Sequence, residues 1–176
     1  MEYIRLLKYK STSIDELKPY INDKAFEFFC SVGNLNLLKW MVENDSDNCI
    51  NISVTHWNKE FPFKIACANG HLHIAKWIYE VKPDIDISAD CEDAFRYVCR
   101  EGHLEIAKWL YEVKPDIDVS VCFYEPIRYA CAYGYLELAQ WLYETFPGID
   151  LNICDQYAFP HISYTSHPEI VEWMDG

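Results

Sequence analysis

The sequence lacks a long apolar run. Hydrophobic residues make up 51% of its 176 positions, yet no stretch approaches the roughly twenty apolar residues that a membrane-spanning helix needs. The opening residues, MEYIRLLKYKSTSIDELKPY, also lack the apolar core of a signal peptide. We therefore expect a folded protein of the cytoplasm, with neither a membrane span nor a secretory route.

Positive charge is scarce. Fifteen Lys and Arg residues stand against 28 Asp and Glu residues, so the net charge is −13. An acidic body repels phosphate backbones and anionic lipid surfaces. We expect neither nucleic acid nor a membrane as a partner.

Sequence motifs of known chemistry are also missing. The eight cysteines contain no C-x-x-C pair, so the strong spacings of zinc sites are absent, and a reducing compartment disfavours disulfides. The sequence contains no P-loop, dinucleotide fingerprint, nucleophile elbow or H-E-x-x-H motif. We expect no metal, no cofactor and no catalysis.

The sequence instead repeats itself. The segment CANGHLHIAKWIYEVKPDID at 67–86 returns as CREGHLEIAKWLYEVKPDID at 99–118. A tryptophan recurs in this register, and in four of the five copies a glycine precedes it by seven residues. The residues are Trp40, Trp77, Trp109, Trp141 and Trp173, with Gly33, Gly70, Gly102 and Gly134. Spacings of 37, 32, 32 and 32 residues indicate stacked supersecondary units.

Within each copy the hydrophobic pattern predicts two helices. In HLEIAKWLYEV, apolar residues such as Ile106 and Leu110 share one side and the charged residues share the other. The preceding AFRYVCRE predicts a shorter helix, and Gly102 suits the left-handed turn that ends it. The following KPDIDVSVCFYE predicts an extended turn or hairpin. Each unit is therefore a short helix, a glycine turn, a long helix and an extended loop.

These residues resemble ankyrin repeats. GHLEIAKWLYE is similar to the family's G-H-L-E-I-V-K-L-L-L core, and Pro62 and Pro126 occupy the proline position of its T-P-L-H motif. The sequence pattern KWLY…KPDID resembles that of ankyrin arrays encoded by giant DNA viruses of amoebae. The resemblance implies an all-α solenoid of about four to five helix–turn–helix units with short extended loops. It also implies a monomeric protein-binding module, in the host cytoplasm if the protein is viral.

The sequence departs from the T-P-L-H motif at two of its positions. Phe61, Asp93, Glu125 and Tyr157 replace the threonine, and Lys64, Arg96 and Arg128 replace the histidine. These replacements call into question the hydrogen bonds that the motif makes between neighbouring repeats.

The expected boundaries follow from the register. Residues 1–24 form an N-terminal helical cap, in which Ser13 and Glu16 predict a capping box. Repeats follow at 25–56, 57–88, 89–120 and 121–152, and 153–176 is a degenerate C-terminal capping repeat with Ser166 at the glycine position.

Several repeated side chains have structural interpretations. We expect the cysteine column to pack against the long helices, the histidine column to begin those helices, and the aspartate column to cap turns. These columns are Cys30, Cys67, Cys99 and Cys131; His71, His103 and His167, with Tyr135 replacing one histidine; and Asp86, Asp118 and Asp150. The alternatives are a stacked thiol site at Cys91, Cys122 and Cys154, and acid–base or calcium chemistry at the aspartates.

The aromatic columns predict a ladder between repeats. The helical projection places each tryptophan on one flank of its long helix and a tyrosine on the other. Stacking would bring the tryptophan column against Tyr79, Tyr111 and Tyr143, which buries a large apolar area.

Function is assigned to the positions that differ between copies. The resemblance places these loop tips and outer short-helix positions on a concave groove, where exposed aromatic residues favour protein recognition. The candidate partner-binding residues are Trp57, Asn58, Glu60, Asn69, Asp90, Glu92, Arg100, Glu101, Phe123, Tyr124, Tyr133, Gln156 and Tyr164. Two other outputs stay open, namely a substrate adaptor for a ubiquitin ligase and a self-assembling structural protein.

Overall fold

The sequence repeat corresponds to successive helix–turn–helix units. The computed structural model describes residues 7, 14–45, 50, 54–55, 58–59, 61–156 and 166–175. The chain divides into two units, 1–86 and 87–176, and each is described by itself. Within the described ranges, no helix combines the length and the apolar character that crossing a bilayer requires.

Asparagine side chains cap two helices of the first unit. Its elements are α1 (Ile14–Leu17), a 3-10 turn (Lys18–Tyr20), α2 (Asp23–Ser31), α3 (Leu35–Glu43), β1 (Val54–Thr55), β2 (Asn58–Lys59), α4 (Phe61–Ala68) and α5 (Leu72–Val81). Asn22 Oδ1 accepts a hydrogen bond from Ala25 N at 3.0 Å, and Asn34 Oδ1 accepts one from Leu37 N at 3.1 Å. Each bond satisfies an amide at a helix start that has no partner within the helix. Ser13, the expected N-cap of α1, lies outside the described residues.

The second unit also consists of paired helices, but the predicted order of lengths is wrong there, since in its first two pairs the first helix has 12 residues and the second has 10. Its elements are α6 (Ala89–Arg100), α7 (Leu104–Val113), α8 (Val121–Ala132), α9 (Leu136–Thr145), α10 (Ile153–Gln156) and α11 (Pro168–Asp175). The predicted all-α class is confirmed, since the strands in the described part of the chain are the two-residue pair β1 and β2.

A ring from the next repeat lies on the glycine turn of the repeat before it. The φ angle of Gly102 is +76°, and a Cβ atom there would lie 2.7 Å from the ring of Tyr135. His71 covers Gly33 in the same way, and its Nε2 donates to the carbonyl oxygen of Ser31 at 3.0 Å. The structural role predicted for this column is therefore confirmed at His71. Part of the bonding between repeats runs through this ring and a backbone carbonyl.

The cysteine column lies in the core. Cys30, Cys67, Cys99 and Cys131 are fully buried, as predicted, and belong to a core that also includes Phe26, Phe63, Phe95 and Ile127. Burial raises the pKa of the Cys67 and Cys99 thiols well above the ordinary value, so these groups pack as small apolar side chains. Burying each large apolar side chain stabilises the fold by about 1.5–3 kcal/mol.

Two rungs of the predicted aromatic ladder are present in the second unit. The ring of Tyr111 meets Trp141 edge-on with centroids 6.1 Å apart, and Tyr143 meets Trp173 edge-on at 5.8 Å. Phe146 adds a contact that the sequence analysis did not expect, 5.2 Å from Tyr111 and 6.0 Å from Trp141. Trp109 is the most deeply buried tryptophan that the structure describes, at 8% exposure.

The loops are more varied than predicted. An antiparallel hairpin pairs Val54 with Lys59, whereas the loops at 114–120 and 146–152 are turns instead of extended segments. Asp118 Oδ1 accepts hydrogen bonds from Ser120 N at 2.9 Å and Ser120 Oγ at 2.6 Å. Asp150 Oδ1 likewise accepts from Asn152 N at 3.0 Å and Nδ2 at 2.8 Å. Turn capping is confirmed at these two aspartates, whose side chains bond the residue two positions later.

Candidate protein-binding surface

Part of the predicted binding surface falls where the structure describes little. Trp57, Glu60 and Tyr164 lie outside the described residues, and only the backbone is described at Asn58 and Gln156. These five positions stay predictions.

Asn69 is exposed at the end of α4. Its side-chain Nδ2 donates to the carbonyl oxygen of Ile65 at 2.8 Å. This local bond satisfies the last turn of the helix.

Glu92 is not on an exposed rim, contrary to the prediction. Its side chain is 6% exposed, and Oε1 lies 3.5 Å from the amide nitrogen of Asp118, in the turn before α8. Its other oxygen, Oε2, is buried with no hydrogen-bond partner among the described residues. The close packing of α6 against α8 and the turn that precedes it covers this residue. Asp90, two positions earlier, is exposed.

The start of α8 projects an aromatic side chain. Cys122, Phe123 and Tyr124 have φ angles of +50°, +60° and +56°, a left-handed conformation that costs non-glycine residues about 1–2 kcal/mol each. Arg128 Nη1 donates to the carbonyl oxygens of Cys122 and Phe123 at 3.2 and 3.4 Å, which holds this turn in place. Phe123 is 62% exposed and Tyr124 is half-buried. The predicted exposure therefore holds for Phe123 and only partly for Tyr124.

The clearest cluster lies at the carboxyl ends of α6 and α8. We call Tyr97, Arg100, Tyr129 and Tyr133 the tyrosine–arginine patch. The guanidinium carbon of Arg100 lies 5.8 Å from the centroid of the Tyr97 ring and 5.9 Å from that of Tyr129. Tyr133 extends the row, with its ring 6.1 Å from Tyr129 and stacked at 6.1 Å on Tyr135. The cation is therefore held by two rings from neighbouring repeats.

Helical spacing explains how these side chains meet. Tyr97 and Arg100 are three residues apart on α6, and Tyr133, the residue that directly follows α8, is four residues after Tyr129, so each pair lies on one face. The side-by-side packing of α6 and α8 brings the two faces together. Burial lowers the pKa of Arg100, but its hydrogen bond to Tyr133 and the neighbouring charges outweigh this and keep the pKa above the ordinary value.

A second arginine, Arg96, lies one turn before Arg100 and is held differently. Its Nη2 donates to Asp93 Oδ1 at 2.6 Å, and its Nη1 donates to Glu125 Oε2 at 2.7 Å. The three side chains are at most 19% exposed, so water screens these ion pairs less than pairs at the open surface. The Tyr129 hydroxyl also hydrogen-bonds Glu125, and burial together with the Glu125 charge raises the pKa of Tyr129. This network links α6 to α8 beneath the patch.

The patch borders a small cleft of about 220 Å³, lined by Arg96, Tyr97, Arg100, Glu125 and Tyr129. Sites for cofactors and drug-sized ligands have volumes of about 300–1,000 Å³. The cleft is smaller than these sites and has the size of an inserted side chain. Its lining includes two tyrosines and two arginines, residue types that are enriched at protein interfaces.

The family comparison agrees with this architecture. The family model described as ankyrin repeats (3 copies) matches residues 26–121 and 66–155, which together make up well over half of the chain. The chain belongs to the ankyrin-repeat family. Ankyrin repeats are generally protein–protein interaction modules. No curated protein matches the chain.

In these ankyrin repeats, the sequence analysis identified Arg100, Glu101 and Tyr133 but missed Tyr97 and Tyr129. Glu101 lies at the edge of the patch, with Oε1 3.6 Å from Arg100 Nε. The two missed tyrosines are 32 residues apart and so occupy the same column. Function was assigned to positions that differ between ankyrin copies, whereas this pair recurs. The recurrence of an aromatic residue at the same position of adjacent repeats is the sequence signal that identifies it.

The loop cysteines of the ankyrin array have different surroundings. Cys122 is exposed, and its Sγ accepts a hydrogen bond from Arg96 Nη1 at 3.0 Å. Cys154 is buried and hydrogen-bonds Cys131, a contact that, together with burial, raises the pKa of Cys131. The side chain of Cys91 lies outside the described part of the chain. Among the residues described, no group of three or more His, Cys, Asp or Glu side chains could hold a metal ion.

Proposed function

We propose that the protein is a non-catalytic binding module that captures a partner protein on the tyrosine–arginine patch. The observation that carries the proposal is the position of Arg100 between the rings of Tyr97 and Tyr129 at the surface. The side chain of Arg100 is 42% exposed and Tyr97 is 36% exposed. Tyrosine and arginine are enriched among the residues that dominate binding energies. Because their own packing already orders these side chains, they would lose little further conformational entropy when a partner binds.

The candidate residues outside the patch fit the same interaction surface. Phe123 is exposed at the start of α8, the helix that also carries Tyr129 and is followed by Tyr133. Its neighbour Cys122 contacts Arg96, which lines the cleft. We propose that the binding surface extends from the cleft toward Phe123. If the protein is viral, as the resemblance implies, the partner is a host protein.

The test compares two tyrosines in different settings. Tyr129→Ala removes a ring that contacts Arg100, whereas Tyr143→Ala removes an exposed ring on α9. Affinity capture from the native cell, followed by titration of the purified partner, should show a loss of about 2 kcal/mol or more for Tyr129→Ala. Tyr143→Ala should bind as the unmodified protein does. Equal affinity for both variants, with folding verified by circular dichroism, would refute the patch as the binding site.

Self-assembly is a second candidate because Phe123 exposes 62% of its surface. Light scattering across a range of concentrations distinguishes the two functions. A mass that grows with concentration, and that Phe123→Ala abolishes, would favour self-assembly. A ubiquitin ligase captured together with the partner would instead indicate the adaptor function.

A further inference from the structure

The two arginines of the cleft differ in how well their charge is compensated. Arg96 faces two carboxylates at 2.6 and 2.7 Å. Arg100 has one acidic contact among the described residues, Glu101, and its 3.6 Å distance is too long for a hydrogen bond. Both members of that pair are more than 40% exposed, so the contact contributes little energy. Arg100 is therefore the cation of the cleft that can accept another anionic partner.

The surroundings of Arg100 also set how it can be approached. Tyr97 and Tyr129 are within 6 Å of the guanidinium carbon, and this contact restricts its orientation. A planar guanidinium presents its N–H donors in a fork that matches the two oxygens of a carboxylate. Tyr133 hydrogen-bonds the same group and so adds a further restraint. A carboxylate that enters the cleft would meet donors that are already ordered.

The overall charge limits which acidic partner fits. At a net charge of −13, the protein repels a strongly acidic segment over distances of about 8 Å at physiological ionic strength. The exposed ring of Tyr97, which lines the cleft, favours apolar neighbours. A cationic group of the partner is disfavoured, because Glu125 is already paired with Arg96, and the rings of Tyr97 and Tyr129 already contact Arg100.

We infer that the cleft binds a segment of a partner protein in which one carboxylate, flanked by apolar residues, pairs with Arg100. This inference rests on the proposed function and specifies the chemistry of the partner. Binding is therefore expected to depend on one carboxylate of the segment and not on how many acidic residues the segment contains.

Selection from a library of random twelve-residue peptides tests the inference on the full chain. We expect the enriched peptides to share one Asp or Glu among apolar residues. One enriched peptide is then synthesised with that residue and with its amide counterpart, Asn or Gln. The affinities of both peptides are measured for the unmodified protein, Arg100→Gln and Lys108→Gln. Lys108 on α7 is the matched control, since its side chain is also 42% exposed and its nearest acidic partner, Glu105, is 3.7 Å away.

The inference expects three results. The unmodified protein should bind the acidic peptide at least about tenfold more tightly than its amide. Arg100→Gln should remove this preference while it binds the amide peptide as before, and Lys108→Gln should preserve it. Because the acid-to-amide change is made in the peptide, a folding defect in Arg100→Gln cannot produce the first result.

The contrary outcomes separate the inference from the proposed function. Enrichment of Lys or Arg, equal affinity for the acid and its amide, or a preference that survives Arg100→Gln overturns the carboxylate pairing. If such peptides still lose affinity with Tyr129→Ala, the patch remains a protein-binding surface. If no peptide is enriched, the cleft does not take a linear segment and the inference fails. The titration of the captured partner with Tyr129→Ala then decides the proposed function alone.

Discussion

Two glycines offer a sharp test of how the repeats stack. Gly102 and Gly148 both have positive φ angles, +76° and +94°. A Cβ atom added at Gly102 would lie 2.7 Å from the ring of Tyr135, whereas nothing lies within 4 Å of one added at Gly148. The change to alanine therefore strains the backbone at both sites, and it displaces a ring of the next repeat only at Gly102.

The expected losses of stability follow from the backbone strain at both glycines and from the displaced ring at Gly102. Placing alanine in the left-handed region costs about 1 kcal/mol, and forcing a methyl group into a filled space costs about 1–3 kcal/mol more. We expect Gly148→Ala to lower the free energy of unfolding by about 1 kcal/mol, and Gly102→Ala by about 2–4 kcal/mol. At about 2–4 °C per kcal/mol for a chain of this size, the two melting temperatures should differ clearly.

Urea unfolding followed by circular dichroism measures both variants. Because stacked repeats can unfold in more than one step, the slopes of the transitions must agree before the midpoints are compared. A double-mutant cycle with Tyr135→Ala isolates the steric clash between the added methyl group and the ring. Once the ring is removed, Gly102→Ala should lose only the stability that the backbone strain costs. Equal losses at the two glycines, or no coupling with Tyr135, would refute the proposed contact between repeats.

Three further predictions concern the core and the turns. Trp109→Ala should cost about 3–5 kcal/mol, and Trp173→Ala should cost less because Trp173 is half-buried in the last helix; thermal melts measure both, and equal small losses would show that Trp109 is not a core residue. Melts with a chelator or a reductant should match those without, since the described cysteines are free thiols; a large shift with either reagent would indicate a metal or a disulfide. The hydrogen bonds from Ser120 lower the pKa of Asp118 below 3.8, so its stabilisation is present above about pH 4 and is lost as the pH falls through the lowered value. Urea midpoints measured against pH should therefore fall less steeply in acid for Asp118→Asn, and an unchanged profile would contradict this assignment.

Some residues have the same kind of neighbours from one copy to the next, and their roles could be predicted from their position in the repeat. The glycine turn at Gly102, the buried thiol of Cys99 and the ring of His71 occupy columns whose surroundings repeat with the period. A side chain in such a column meets the same partners one repeat away, so one physical requirement applies to all copies. The period and the helical pattern together therefore predicted the all-α stack, its turns and most of its core.

The tertiary structure alone decided which surface side chains meet. Glu92 was expected at an exposed rim and is buried, because the turn before α8 covers the start of α6. Tyr97 and Tyr129 both contact Arg100, although they belong to different repeats. Their sequence separation indicates only that they occupy the same position in successive repeats. Periodicity along one helix predicts which residues share a face. It does not predict how far that face turns toward the next helix, because the packing of the large side chains between repeats determines that rotation.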